Sequence, residues 1–204
     1  MKKIFPLLLV FLMILALAAC GSPAPTVSGV WTVSSFPDLY SDADSVSVTL
    51  ELGEDGKGYS LFTEDSNKTY SPVSWTDTKI TINGKTASYV WEGDSLTLNA
   101  DEGTYILTRT GSAEKRTALK PGTYTLVRGL VNGEDRTEEI SATVVTVNAD
   151  GTGTSRNGDY SADFTWDAYF FTFPSDGSQY YYTFDGSTLT EYQGRTQLNF
   201  LLGD

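Results

Sequence analysis

Apolar residues recur along this chain in two rhythms. Ile4 to Ala19 form one apolar run, interrupted only by Pro6. After Cys20 the run gives way to alternation. Val46, Val48, Leu50 and Leu52 take turns with Ser47, Thr49 and Glu51, the period of a strand with one buried face. Asp55-Gly56 then predicts a hairpin, because Asp-Gly accepts the positive φ of tight hairpin turns. Ile80 and Ile82 share a face, Asn83-Gly84 turns, and Ala87, Tyr89 and Trp91 return on one face. Later in the chain the pattern repeats with Phe171 and Phe173, a turn at Ser175-Asp176-Gly177, and Tyr180, Tyr182 and Phe184. No stretch after Cys20 sustains a period of 3.6, so the expected fold is all-β and antiparallel.

The repetition is a duplication. One copy holds Gly29-Val30-Trp31, Asp55-Gly56-Lys57-Gly58, Tyr70, Trp75 and Gly93-Asp94-Ser95-Leu96-Thr97. The other holds Gly122-Thr123-Tyr124, Asp150-Gly151-Thr152-Gly153, Tyr160, Trp166 and Gly186-Ser187-Thr188-Leu189-Thr190. The five offsets are 93, 95, 90, 91 and 93. We read copy 1 over 28–109, a polar linker over 110–121 with Lys115, Arg116 and Lys120, and copy 2 over 122–204. Each copy has room for six to eight short strands. A meander closing into a small barrel removes unpaired edges; a β-sandwich is the alternative. A barrel of this size is just wide enough for its own side chains or one small ligand, and Trp31, Trp75 and Trp91 are bulky enough to fill it. The matched Trp75 and Trp166 are both expected to be buried.

These landmarks resemble the small lipocalin-like domains of bacterial, largely Gram-positive, lipoproteins. The resemblance covers nearly all of 28–204 and implies two lipocalin-like barrels, with Trp31 plugging one end of the first. Copy 2 departs by placing Tyr124 there. Function is left open by this resemblance.

The opening run agrees on location. Lys2 and Lys3 precede it, and it is shorter than the roughly 20 residues a spanning helix needs. A basic start, a short apolar core and small residues before a cut site describe a signal peptide, here 1–19. Leu17-Ala18-Ala19-Cys20 resembles the bacterial lipobox, which implies cleavage before Cys20 and a diacylglyceryl group on its sulfur. Residues 20–27 then read as lipidated cysteine and flexible tether, since Gly21 to Thr26 are small and proline-rich. Cys20 is the sole cysteine, so neither an intrachain disulfide nor a cysteine metal site is expected.

Losing Lys2 and Lys3 takes the formal charge from −12 to −14. Copy 1 carries 13 acidic and 5 basic residues, copy 2 carries 12 and 4. That surface repels nucleic acid and anionic lipid heads, and it either favours a cationic partner or simply keeps an exported protein soluble. Histidine is absent, which removes the commonest general base and metal ligand. No Gly-x-Ser-x-Gly elbow or phosphate-binding glycine loop occurs. Asp42-Ala43-Asp44 lacks the further ligands of a calcium loop. Asp55 and Asp150 sit at turns, where Asp serves conformation. Ser66-Asn67-Lys68 reads as a loop, so its serine and lysine are no catalytic pair. We expect no enzyme, no metal and no cofactor beyond the lipid on Cys20.

Aromatic residues are the remaining signal. Twelve lie from Tyr160 to Tyr192. Alternation assigns Phe171, Phe173, Tyr182 and Phe184 to the core. The other face then presents Phe170 and Tyr181 outward, with Tyr169 and Tyr180 near the rim. Copy 1 has Lys79 and Ser88 in the corresponding hairpin. These four aromatics form a candidate binding surface for an envelope protein or glycan. The sequence thus suggests a monomeric lipoprotein on the extracytoplasmic face of the cell membrane. It would be a non-catalytic interaction or structural module, or alternatively a carrier of a small apolar ligand.

Overall fold

The computed structural model describes residues 26–37, 46–65 and 67–203. The signal segment 1–19, Cys20, most of the tether and the Asp42-Ala43-Asp44 loop lie outside the described residues.

Copy 1 runs through β1 (Gly29–Ser35), β2 (Val46–Leu52), β3 (Lys57–Glu64), β4 (Asn67–Trp75), β5 (Lys79–Ile82), β6 (Lys85–Glu92), β7 (Ser95–Ala100) and β8 (Gly103–Gly111). Each strand pairs antiparallel with the next, and β8 pairs with β1, closing an eight-stranded barrel. Copy 2 comprises β9 (Gly122–Val131), β10 (Glu134–Asp135), α1 (Thr137–Ile140), β11 (Thr143–Val147), β12 (Thr152–Asn157), β13 (Tyr160–Trp166), β14 (Phe170–Thr172), β15 (Gln179–Phe184), β16 (Thr188–Gln193) and β17 (Thr196–Leu202). It closes through β17 on β9, with the two-residue β10 added along β9. The fold is therefore two closed eight-stranded antiparallel barrels in tandem, and the sandwich alternative is set aside.

Alternation decides what fills each barrel. Trp31, Leu50, Leu52, Ile80, Leu96 and Leu107 are sealed inside the first, and Tyr124, Phe164, Phe171, Tyr182, Leu189 and Phe200 inside the second. Phe171, Phe173, Tyr182 and Phe184 all lie in the second core. Gly58 and Gly153 occupy matched places just after the first hairpin of each copy. A Cβ at Gly58 would run into the Glu51 carbonyl, and one at Gly153 into the Phe164 ring. Both glycines are needed because the wall must come close there.

One end of each barrel is closed by the same device. Trp31 Nε1 donates to the Val27 carbonyl at 2.8 Å, and the Tyr124 hydroxyl donates to the Lys120 carbonyl at 2.7 Å. Each ring thus ties down the backbone four residues upstream. Arg109 lies over Trp31, 4.3 Å from the ring centre, and its guanidinium also donates to the Ser28 and Thr26 carbonyls. Val27 is buried in the first core, so packed structure begins inside the segment read as tether. Leu119 is buried in the second core, so the linker read as polar carries one inward anchor.

Two expectations need correcting. Trp75 and Trp166 are matched but only half-buried. Trp75 donates from Nε1 to the Gly53 carbonyl at 3.0 Å, and Trp166 to the Asn148 and Thr152 carbonyls at 3.3 and 3.2 Å. Each brackets a hairpin turn, and an indole N–H facing backbone keeps its edge near solvent. The second correction concerns Tyr160, read as the partner of Tyr70. Gly58 pairs with Val73 and Gly153 with Phe164, so Tyr70 aligns with Ser161. A one-residue shift changes the face, and Tyr160 is 70% exposed.

Candidate functional site

The expected outward face of copy 2 is not open. Phe170, Tyr181 and Tyr169 are 3%, 5% and 4% exposed, and the first barrel covers them. Strand pairing explains how they come together. Phe170 lies opposite Tyr181 and Tyr181 opposite Tyr192, so three rings form a row across β14, β15 and β16. Facing them are Tyr59 on β3 and Tyr70 on β4. Tyr70 stacks on Tyr181 with centroids 4.2 Å apart and planes 3° from parallel, while Tyr59 tilts against Tyr181 at 4.6 Å. Tyr180 does not join this set. It points the other way on β15 and packs on the second core, 5.3 Å from Phe173.

The contact belongs to one side of each barrel. By strand pairing, Phe170, Tyr181 and Tyr192 correspond to Lys79, Ser88 and Asn99 in copy 1. Tyr169 corresponds to Thr78, because Tyr182 N–H donates to the Tyr169 carbonyl as Tyr89 N–H does to that of Thr78. Four aromatics in one copy stand where the other has four polar residues. The asymmetry therefore reflects a heterologous seam, in which different faces of two similar barrels meet.

Polar groups are trapped in the seam. Glu51 faces outward from β2 yet is 2% exposed, and its Oε1 has no hydrogen-bond partner. Burial pushes its carboxyl above the usual carboxylate range, against the opposing pull of the Tyr59 hydroxyl and the Arg116 guanidinium. Arg116 comes from the linker. It donates to the Tyr181 hydroxyl at 2.7 Å and to the Tyr182 carbonyl, and lies 4.8 and 5.0 Å from the Tyr169 and Tyr181 ring centres. Desolvation holds the Tyr70 and Tyr169 hydroxyls at about 12, so these phenols stay neutral hydrogen-bonding groups. At one edge Lys57 pairs with Asp167 at 3.1 Å. Nearby, a Cβ at Gly53 would strike the Tyr169 hydroxyl, so glycine is what lets the barrels approach.

Arg116, Glu51, Tyr59 and Tyr70 escaped the sequence reading. The available signal was an outward pair, Tyr59 and Tyr70, on adjacent strands of copy 1. Glu51 sat at a polar position of an alternating strand, and nothing in the alternation says that another barrel covers it.

Other acidic groups serve local roles. Asp150 Oδ1 accepts from the Thr152 N–H at 3.0 Å and the Thr152 hydroxyl at 2.6 Å, which holds its carboxyl below the usual range. Asp55 Oδ1 accepts from the Lys57 N–H at 3.1 Å. Glu139 pairs with Arg136 on α1. Glu191 is different: it faces inward from β16, is 3% exposed, and accepts only from Gln193 among the described hydrogen bonds. Desolvation pushes it up to about 7. A shallow hollow of about 640 Å³ lies outside copy 2, lined by Val144, Thr146, Thr154, Arg156 and Ser161. It occupies the face corresponding to the Glu51–Tyr59–Tyr70 face of copy 1.

No family model matches the chain, and no curated protein sequence does either. Among solved structures, the Helicobacter pylori beta clamp bound to a DNA ligase peptide aligns at 8% identity with a TM-score of 0.25, over 90% of this chain and 61% of that one. The DNA polymerase III subunit beta of Pseudomonas aeruginosa aligns at 11% identity and 0.23, over 92% and 60%. The chain spans about three fifths of those proteins. Likeness at this level carries no argument about fold or function.

Proposed function

We propose that this chain is a lipoprotein anchored through Cys20 to the extracytoplasmic face of the cell membrane. Its two barrels act as a monomeric, non-catalytic interaction or structural module of the envelope, needing no cofactor beyond the lipid. The observation that carries the reading is the lipobox Leu17-Ala18-Ala19-Cys20 behind a basic start and a short apolar run. Two acyl chains on that cysteine meet the requirement for stable anchoring.

The seam supports a structural role. Aromatic area that a partner would use is spent on holding one barrel against the other, so the unit presents itself as one body. The carrier alternative is weakened by the interiors. Trp31 and Tyr124 are fully sealed within their barrels, and Phe164, Phe171 and Tyr182 crowd the second.

Replacing Cys20 with Ala and fractionating cells tests the anchor. Loss of lipid labelling and release from the membrane fraction are expected. Membrane retention unchanged by the substitution, with no label on the wild type, refutes it. Capture of envelope proteins or glycans on the soluble 21–204 fragment then separates an interaction role from a purely structural one.

A further inference from the structure

The two barrels point the same way. Along the seam, Lys57 at the start of β3 meets Asp167 just before β14, Tyr59 and Tyr70 meet Tyr181, and Tyr70 meets Tyr192. At the far end, Asn67 in the first barrel lies beside Gly194 in the second, its Oδ1 3.9 Å from where a Cβ would stand. Lys57 and Asp167 both sit at the closed ends, beside the 53–56 and 148–151 hairpins. Asn67 and Gly194 both sit at the opposite, far ends. The barrels therefore stand side by side with closed ends together.

The N-terminal segment arrives at that same closed end. Arg109 holds the Thr26 and Ser28 carbonyls there while lying over Trp31. From Cys20 to Thr26 is six residue steps, at most about 20 Å of extended chain. A barrel wall of seven or eight tilted residues is itself about 20 Å tall before its turns are added. A lipid on Cys20 is thus too close to let the molecule stand on its far ends.

We infer that the closed ends of both barrels face the lipid headgroups and the opposite ends face away from them. The inference rests on the lipid-anchor reading above. The membrane-side turns carry Glu54, Asp77, Glu92, Asp94, Asp150 and Asp185. Such acidic tips stand off from the headgroups and do not insert.

The lipidated full-length protein, purified from membranes into phosphatidylcholine vesicles, tests this. Cys20 is the only native cysteine and is acylated in this reading, so an introduced thiol is the only free one. Asp77→Cys and Ala149→Cys mark the closed ends; Asp101→Cys and Asp159→Cys mark the far ends. All four lie in exposed turns, and two sites per end guard against a variant that misfolds. Each is labelled with a fluorophore and quenched by a headgroup-attached quencher. Closed-end labels should be quenched several-fold more than far-end labels in both barrels. Equal quenching at the two ends, or stronger quenching at the far ends, in protein that floats with the vesicles overturns the orientation alone. Failure to float with vesicles at all overturns the anchor and the orientation together.

Discussion

Tyr70 of the first barrel and Tyr181 of the second lie face to face, with ring centres 4.2 Å apart and planes 3° from parallel. Such a stack joins two copies of one fold through non-equivalent faces. Heterologous contacts of that kind can propagate from copy to copy. Here the free face of copy 1 carries Thr78, Lys79, Ser88 and Asn99 where copy 2 has Tyr169, Phe170, Tyr181 and Tyr192. Copy 1 thus lacks the aromatic row through which copy 2 meets its neighbour.

Tyr181→Ala should separate the barrels without unfolding either. A large buried aromatic truncated to Ala typically costs about 3–5 kcal/mol. The ring lies outside both barrel cores, so the loss falls on the coupling between them. Calorimetry of the wild type should give one cooperative transition, and the variant two. A single transition at the wild-type temperature in the variant would show that the stack contributes nothing to coupling.

Arg116→Ala should weaken the same seam by a different route. It removes the donor to the Tyr181 hydroxyl and takes positive charge away from the buried Glu51. Leaving buried polar groups unpaired costs about 1–3 kcal/mol, more for a charged one. Arg116→Lys should recover little, because a point ammonium reproduces neither the two-pronged donation nor the lie of the guanidinium over Tyr169. Urea unfolding of the three proteins gives the ordering. Full rescue by Lys would reduce Arg116 to a simple charge.

The barrels were legible in the sequence because alternation, turn residues and duplication all act within one copy. Leu50 and Leu52, or Phe171 and Phe173, declare their face by spacing alone. The seam was not legible, because it depends on which outward face meets which. Phe170 and Tyr181 read correctly as facing away from their own core, yet alternation cannot tell solvent from a neighbouring barrel. Trp75 and Trp166 failed for a second reason. Size suggests full burial, but the indole N–H is drawn to hairpin carbonyls at the barrel end, which leaves each ring half covered.

Trp166→Phe should therefore cost little. The substitution keeps most of the half-buried apolar contact and removes the Nε1 donation to Asn148 and Thr152. A typical hydrogen bond of that kind is worth about 1 kcal/mol. Trp75→Phe should behave alike through Gly53. Unfolding midpoints in urea measure both. A loss as large as that of a core aromatic would place these rings fully inside the barrels after all.

Glu191 makes the stability of copy 2 fall with rising pH. Its carboxyl faces into the barrel from β16, opposite Tyr182 on β15 and Leu198 on β17, with Gln193 as its hydrogen-bond donor. No cation lies among these neighbours, and the Tyr182 hydroxyl is occupied in donating to the Asp167 carbonyl. Copy 1 has Leu98 in the corresponding place, opposite Tyr89. Desolvation raises Glu191 from its ordinary 4.5 to about 7. The folded state then holds a proton that the unfolded chain has released between those values. Stability is full below about 4.5, declines through the interval, and levels off above 7. A rise of that size is worth about 3 kcal/mol. Glu191→Gln keeps the shape and removes the titration, and Glu191→Leu copies the first barrel. The difference in unfolding free energy between Glu191→Gln and the wild type isolates this group from the acidic surface, which both proteins share. That difference should be small at pH 4.5 and grow to about 3 kcal/mol in favour of the variant at pH 8. A difference that stays flat across the interval would mean that Glu191 reaches water in the folded barrel and titrates as an ordinary carboxylate.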